Sequence, residues 1–322
     1  METCIKGIIC RSESKDYYVL PEGKENQVRC SLRGKFKKEF RLKKDKLYKT
    51  GIAVVGDFVN FELEKDGTGA IDFIEERKNY ISRKAPLAQG ASYRGERLEQ
   101  VIASNIDNLF IITSMVRPEF NNKTIDRLIV AGESSHLNIV IIINKTDLGD
   151  SKTIEEWSNL YSGVGYRTIL TSKITGDGFS EIHELISCKR NLFWGQSGVG
   201  KSSILNYLFP GINLITGEIS NSTNKGKHTT VTSLMLKMKE GTYIIDTPGI
   251  REIDPFGIRK KDLGHYFIEF SEFIKKCRFN TCTHDHEPGC AVIEAVEQNK
   301  ISEKRYDSYL RMLESTEEDI FF

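Results

Sequence analysis

Through residues 1 to about 75, apolar positions come in short clusters: KGIIC, YYVL, QVRCSLRGKF, GDFVNFEL and GAIDFIEE. Turns rich in Gly, Asp, Asn or Lys separate them. Five short strands in so small a segment predict a small barrel, with a five-stranded oligonucleotide-binding (OB) barrel as the leading form and an SH3-like barrel as the alternative. Residues 76–104 show no sustained period at first and contain the breakers Pro86, Gly90 and Gly95, so they read as a partly ordered linker between domains. From 105 to 257 the pattern changes to near-continuous apolar runs alternating with helical stretches: NLFIITS, NIVIIIN, YRTILTS, NLFWG, SLMLKM and TYIIDT. Strands of that kind are buried on both faces, which predicts a mostly parallel α/β sheet. After 258 the chain reads as helical, LGHYFIEFSEFIKK, AVIEAVEQNK and ISEKRYDSYLRMLES, and it closes on the acidic EEDIFF. The fold class is thus multidomain, over 1–75, 105–257 and 258–322, joined by 76–104.

The 322 residues suit two or three domains, and 39% hydrophobic residues supply enough apolar mass for separate cores. The longest apolar runs fall far short of the roughly 20 residues that span a bilayer. The start, METCIKGIICRSE, lacks a secretory hydrophobic region, so a cytoplasmic protein is expected. The net charge of +1 conceals an asymmetry, because residues 1–84 carry 19 Lys and Arg against 14 Asp and Glu. Ten basic side chains and two acidic ones fall within residues 29–49, where Phe36 and Phe40 are interleaved. That composition fits contact with an RNA backbone plus some base stacking.

Three sets of residues carry candidate chemistry. GQSGVGKS, residues 195–202, matches G-x-x-x-x-G-K-[ST] between a predicted strand and a predicted helix. There Gly195, Gln196, Ser197, Gly198, Val199 and Gly200 would turn successive backbone N–H groups toward an anion, helped by the helix N-terminus. Lys201 would neutralise β and γ phosphates, Ser202 would ligate Mg²⁺, and Ser203 follows in the first helical turn. Asn144, Lys145, Thr146 and Asp147 form N-K-x-D after a strand. A carboxylate at Asp147 can accept from guanine N1–H and the 2-amino group, whereas adenine would leave it unpaired. Ser172 and Lys173, again at a strand end, resemble the element that meets the guanine oxygen. Asp246 and Gly249 fill D-x-x-G, with Ile250 in the place where Ras-like enzymes carry a water-orienting Gln, so nucleotide hydrolysis by the chain alone is expected to be slow. Upstream, Thr230 or Thr229 is the candidate for closing on Mg²⁺, and His228 for orienting water.

The third set is CRFNTCTHDHEPGC. Seven cysteines, three of them crowded between 277 and 290, favour a metal site over disulfides in a reducing compartment. Cys277, Cys282, His284 and Cys290 supply a closed tetrahedral set for a structural Zn²⁺, with His286 as a substitute for His284.

Taken together, a basic barrel, NKTD, then GQSGVGKSS, GKHTT, DTPG and the Cys/His cluster resemble the circularly permuted GTPases of the RsgA (YjeQ) type over essentially the whole chain. The resemblance implies an OB domain, a permuted GTPase domain and a zinc domain. It further implies a monomer that binds the small ribosomal subunit and its rRNA in late assembly, hydrolyses GTP under stimulation by the subunit, and is then released. Nucleotide contacts would fall on Asn144–Asp147 and Gly195–Ser203, and zinc on Cys277, Cys282, His284 and Cys290. TSKITGDG departs from the family's S-A-K element, and Val231 follows the threonine pair. Read as a circle, the motifs keep the usual GTPase order, cut after D-x-x-G. The switch strand then runs through Ile250 and Pro255 into the C-terminal module, so γ-phosphate contact at Gly249 is expected to reposition that module.

Overall fold

A computed structural model of the chain describes residues 4–13, 15–36, 49–84, 99–210, 233–247 and 255–316. The first strands are β1 (Ile5–Glu13), β2 (Asp16–Pro21), β3 (Val28–Leu32), β4 (Lys49–Thr50), β5 (Phe58–Leu63) and β6 (Gly69–Ile74). Five of them close on themselves in the order β1-β2-β3-β6-β5, with β5 returning to β1 and β3 running parallel to β6. That is a Greek-key barrel of OB type. Ile9, Val19, Cys30, Leu32, Val59, Phe61 and Ile71 fill it.

The expected linker is more structured than its sequence suggests, for β7 (Tyr80–Lys84) and β8 (Glu99–Ser104) pair antiparallel and β4 adds to β8. Just before β7, Arg77 grips the buried Asp57 with two bonds of 2.7 and 2.8 Å, and Ser104 Oγ donates to the same carboxylate at 2.6 Å. Asn105 Nδ2 donates to Gly56 O at 2.9 Å. These contacts bind the barrel to the base of the next domain, so local sequence carries little sign of them.

That domain comprises β9 (Asn108–Ser114), α1 (Asn122–Ser134), β10 (Asn138–Asn144), α2 (Ser151–Val164), β11 (Arg167–Thr171), α3 (Phe179–Ile186), β12 (Arg190–Trp194), α4 (Lys201–Leu208), β13 (Leu234–Lys237) and β14 (Tyr243–Asp246). The sheet order is β11-β10-β9-β12-β14-β13, parallel except for β13. Alternation along each strand supplies two cores. Leu109, Ile111, Ile139, Ile141 and Ile143 face Ile125, Leu128 and Ile129 of α1, while Phe110, Ile112, Val140 and Ile142 face Phe179 and Ile182 of α3 and Ile204 of α4. At the N-terminal ends, Asn138 donates to Asn108 and Asn108 to Asn191, both at 2.8 Å, which fixes the register of three strands. β13 also pairs with β1 at Leu234 and Arg11, joining barrel and sheet edge to edge.

The predicted long helix over 263–276 is instead a series of short turns, with α5 (Lys260–Leu263) and α6 (Ser271–Ile274) at its ends. Phe267 takes extended backbone where its buried ring packs edge-on against Tyr309, so tertiary packing overrides helical continuity. α7 (Ala291–Glu297) and α8 (Glu303–Ser315) complete the module. Its core of Ile258, Leu263, Phe267, Phe270, Val292 and Tyr309 also takes in Val130 of α1. No helix among the described residues is long and apolar enough to cross a membrane.

Candidate functional site

Parallel sheets bind ligands beyond the carboxyl ends of their strands, where the strand order reverses. Here the chain runs β9 to β10 to β11 on one side and resumes with β12 on the other, so the crevice lies between β9 and β12. The loop from Gly195 to Lys201 leaves β12 at that point and enters α4. It lies close against its neighbours. A Cβ on Gly195 would sit 2.1 Å from the Ile112 carbonyl oxygen, and one on Gly200, whose φ is +104°, would sit 2.2 Å from Asn144 Nδ2. Only glycine fits at either position.

Asn144, expected as a nucleotide contact, also ties the loop to the strand ends. Its Nδ2 donates to Val199 O at 2.8 Å and its Oδ1 accepts from Thr171 Oγ1 at 2.9 Å, tying the ends of β10 and β11 to the loop. Lys145 Nζ donates to Gly198 O at 2.7 Å and also to Arg117 O, so its aliphatic stem runs from β10 toward the loop. Thr146 Oγ1 donates to Thr171 O at 3.2 Å. Ser172, buried at 1% exposure, donates to Asp147 Oδ1 at 2.6 Å, and its hydroxyl accepts from the Ile174 N–H at 3.1 Å. The carboxylate is thereby oriented by the second strand-end element, with the exposed Lys173 beside it.

Lys201 Nζ donates to Gly195 O at 2.7 Å and Gln196 O at 3.0 Å. Burial pushes this ammonium down, against the nearby Asp246 charge, and pushes the Asp246 carboxyl up, against Lys201. Asp246, at the end of β14, keeps Oδ2 buried without a hydrogen-bond partner among the described residues. An orphaned carboxylate oxygen beside a phosphate loop fits a place for a cation. Ser202 and Ser203 are half-buried in the first turn of α4, and Ser197 and Gly198 are exposed at the loop's rim. His228, Thr229, Thr230, Gly249 and Ile250 lie outside the described residues, as do Lys37 to Lys44.

In the C-terminal module the ligand atoms of Cys277, Cys282, His284 and Cys290 lie within 4.8 Å of one another. Cys277 Sγ is 3.6 Å from His284 Nδ1 and 3.9 Å from Cys290 Sγ, and His284 Nδ1 is 3.4 Å from Cys290 Sγ. Burial pushes the Cys282 thiol up to about 12 and holds the His284 imidazolium below its usual range, so the ring stays neutral and can donate a lone pair. His286 is exposed and pairs with Asp285 at 3.0 Å, outside the cluster.

A sequence profile of the RsgA GTPase family matches residues 74–256, and one of the RsgA N-terminal domain matches 6–71. A protein of Phocaeicola vulgatus named small ribosomal subunit biogenesis GTPase RsgA is 38% identical over 317 residues, covering 98% of each chain. The chain belongs to the RsgA GTPase family. A namesake from Chlorobaculum parvum is 41% identical over 273 residues, covering 84% of this chain and 87% of that one. The crystal structure of YjeQ from Thermotoga maritima superposes with a TM-score of 0.75 at 32% identity, covering 97% of this chain and 98% of that one. YloQ, described as a circularly permuted GTPase, gives 0.68 at 29%, covering 97% and 95%.

For this RsgA-family chain, motif reading missed the residues that hold the motifs in place. Thr171 anchors Asn144, and Thr124 Oγ1 on α1 accepts from Gln196 Nε2 at 3.3 Å. Thr171 opens the TSK element of 171–173, where the sequence gives it no role of its own; Thr124 sits outside every motif. Ser172→Ala should weaken GDP binding by roughly tenfold, the value of about one hydrogen bond to a charged group. Titration with a fluorescent GDP checks this, and unchanged affinity would remove Ser172 from the base site.

Proposed function

We propose that the chain hydrolyses GTP to GDP and phosphate on the small ribosomal subunit in its late assembly, slowly alone and faster on the subunit, and departs afterwards. The observation that supports this best is the meeting, at one crevice, of a phosphate loop clamped by Asn144 and an Asp147 carboxylate held by Ser172. The relatives' shared name, small ribosomal subunit biogenesis GTPase, supplies the setting.

In this reading Asp147 accepts from guanine N1–H and the 2-amino group, with the Lys145 stem along the ring and Lys173 at the rim. Backbone N–H groups of residues 195–200 and the α4 N-terminus receive the β-phosphate, and Lys201 leaves the Gly195 and Gln196 carbonyls for the β and γ oxygens. Ser202, Asp246 and Thr230, or Thr229 in its place, hold Mg²⁺. When bound, that ion offsets charge on the β and γ oxygens. Gly249 meets the γ-phosphate, and His228 orients the attacking water, since Ile250 cannot. Water attacks the γ-phosphorus, the bond to the β–γ bridging oxygen breaks, and GDP and phosphate leave.

Cys277, Cys282, His284 and Cys290 hold a structural Zn²⁺. Tetrahedral zinc bonds of about 2.3 Å to sulfur and about 2.0 Å to nitrogen predict S···S edges of about 3.8 Å and S···N edges of about 3.5 Å. The edges among Cys277, His284 and Cys290, at 3.9, 3.6 and 3.4 Å, fit that figure, and the full set with Cys282 lies within 4.8 Å. The reading assigns RNA to the barrel of 1–75, a connecting role to 76–104, nucleotide to 105–257 and zinc to 258–322, in a cytoplasmic monomer.

The deciding measurement is GTP turnover with and without purified small subunits, alongside GDP and ADP affinities. Stimulation together with preference for GDP is expected; equal GDP and ADP affinity would remove the base assignment, and turnover indifferent to subunits the ribosomal one. Subunit binding should also weaken steeply with salt. Neutralising Lys37, Lys38, Lys43 and Lys44 should lower the logarithmic salt slope by about one for each lysine that pairs with a phosphate. An unchanged slope would rule out the basic stretch as the site that meets rRNA.

A further inference from the structure

Arg305 belongs to the C-terminal module, yet its side chain is 1% exposed and serves two domains. Nη1 donates to Asp126 Oδ1 on α1 at 2.5 Å, while Nε and Nη2 donate to the Glu269 carboxylate at 2.7 and 3.1 Å. The Tyr161 hydroxyl on α2 donates to the same Asp126 oxygen at 2.9 Å. Breaking such a buried pair strands a charge, so the joint holds α1 and α8 in one relative position. Neighbouring side chains on α8 grip the metal cluster: Tyr306 Oη donates to His284 O at 2.7 Å and Tyr309 Oη to Thr283 O. One helix thus carries both the joint to α1 and the support of the cluster.

The start of α1 touches the phosphate loop. Thr124 accepts from Gln196 Nε2, and Lys145 Nζ bridges Gly198 O to Arg117 O in the connection from β9 to α1. Gln196 also meets Lys201, whose Nζ donates to its carbonyl at 3.0 Å, so one residue links α1 to the lysine proposed for the phosphates. Thr124 and Asp126 lie two positions apart on one helix.

We propose that Arg305 is a positioning residue for the phosphate loop, acting through Asp126, Thr124 and Gln196, so that docking of the C-terminal module sets nucleotide affinity and bound nucleotide in turn tightens the module. The reverse effect follows from linkage, since a coupling between two sites acts equally in both directions. The inference rests on the assignment of residues 195–202 as the phosphate site.

The test uses full-length, metal-loaded protein, fluorescent GDP and amide hydrogen exchange. R305K keeps the charge and loses the fork that spans both carboxylates. GDP affinity should fall about fivefold or more in R305K, within the usual span of allosteric coupling. T124V should cost a similar factor, and the double variant R305K/T124V should bind no worse than the weaker single variant. Adding GDP to the wild type should slow exchange across residues 303–315, and T124V should abolish that response while keeping thermal unfolding near wild type. Multiplying effects of R305K and T124V, wild-type GDP affinity in a folded R305K, or exchange at 303–315 indifferent to GDP in the wild type would each overturn the proposal. Should R305K fail to fold, the exchange comparison between wild type and T124V decides alone. Failure of the wild type to bind GDP at all would instead sink the phosphate-site assignment, a separate outcome.

Discussion

Lys201→Ala should lower subunit-stimulated GTP turnover by about 10²–10³-fold, the usual cost of removing one preorganised group that meets charge developing in a transition state. Lys201 Nζ is bonded to the carbonyls of Gly195 and Gln196, 2.7 and 3.0 Å away, and is near the buried Asp246. It is therefore already in the crevice and needs only to turn from loop oxygens to phosphate oxygens, with little reorganisation. Alanine deletes that charge and also leaves two loop carbonyls without their donor, so nucleotide affinity should fall together with turnover. Ser202→Ala should spare more affinity while losing stimulated phosphate release, because it touches only the proposed Mg²⁺ ligand. Phosphate release measured on small subunits separates the two, with subunit binding as the control for folding. Turnover retained in Ser202→Ala would remove Ser202 from the Mg²⁺ shell.

The second large effect concerns the C-terminal module. Chelating the metal, or Cys290→Ser, should melt residues 258–316 while the barrel and parallel sheet stay folded. Apparent zinc binding energies in small structural sites run to about 10–16 kcal/mol, well above the stability such a module draws from its core. The core that remains, Phe267, Phe270, Val292, Tyr309 and their neighbours, is small, and Tyr306 and Tyr309 lose the carbonyls they anchor. Exchange should also quicken in α1, which stays packed on the sheet, because unfolding of α8 strands Asp126 without Arg305. The pH sign follows from protons on the thiols. Burial pushes the Cys282 thiol up to about 12 and raises the Cys290 thiol, whereas thiolates bound to a metal carry no proton. Metal affinity, and the stability it supplies, should rise with pH through the neutral range and fall on acidification. Hydrogen exchange before and after chelation checks both, and a module that stays protected without metal would exclude a structural role for the cluster.

Much of the site was legible because its chemistry is local. N-K-T-D and G-Q-S-G-V-G-K-S each occupy a few consecutive residues at the end of an apolar run, and β9 and β10 have the bounds that the runs NLFIITS and NIVIIIN suggest. Ser172 stood in a motif that departed from its pattern, and its bond to Asp147 spans 25 positions, so only the folded chain supplies its partner. β7 and β8 were invisible for a related reason. YISRK and EQVIAS are short and half-polar, and they pair with each other across a segment rich in breakers, with β4 added beside β8. The helix expected over 263–276 failed because Phe267 and Phe270 bury their rings around Tyr309, more than 35 residues away, at the cost of helical regularity.

Sequence by itself determined the domain types, the candidate phosphate and base elements with their rotated order, and a set of four candidate metal ligands, because strand periodicity and motif spacing are properties of neighbouring residues. Tertiary structure alone decided how those parts are held: Asn144 as a clamp on the phosphate loop, Ser172 on Asp147, and Arg305 in a buried joint with Asp126, 179 positions away. In α8 the run SEKRYDSYLRMLES gives Arg305 no local mark of burial. Its desolvation becomes tolerable only when two carboxylates from distant segments meet it in the folded chain.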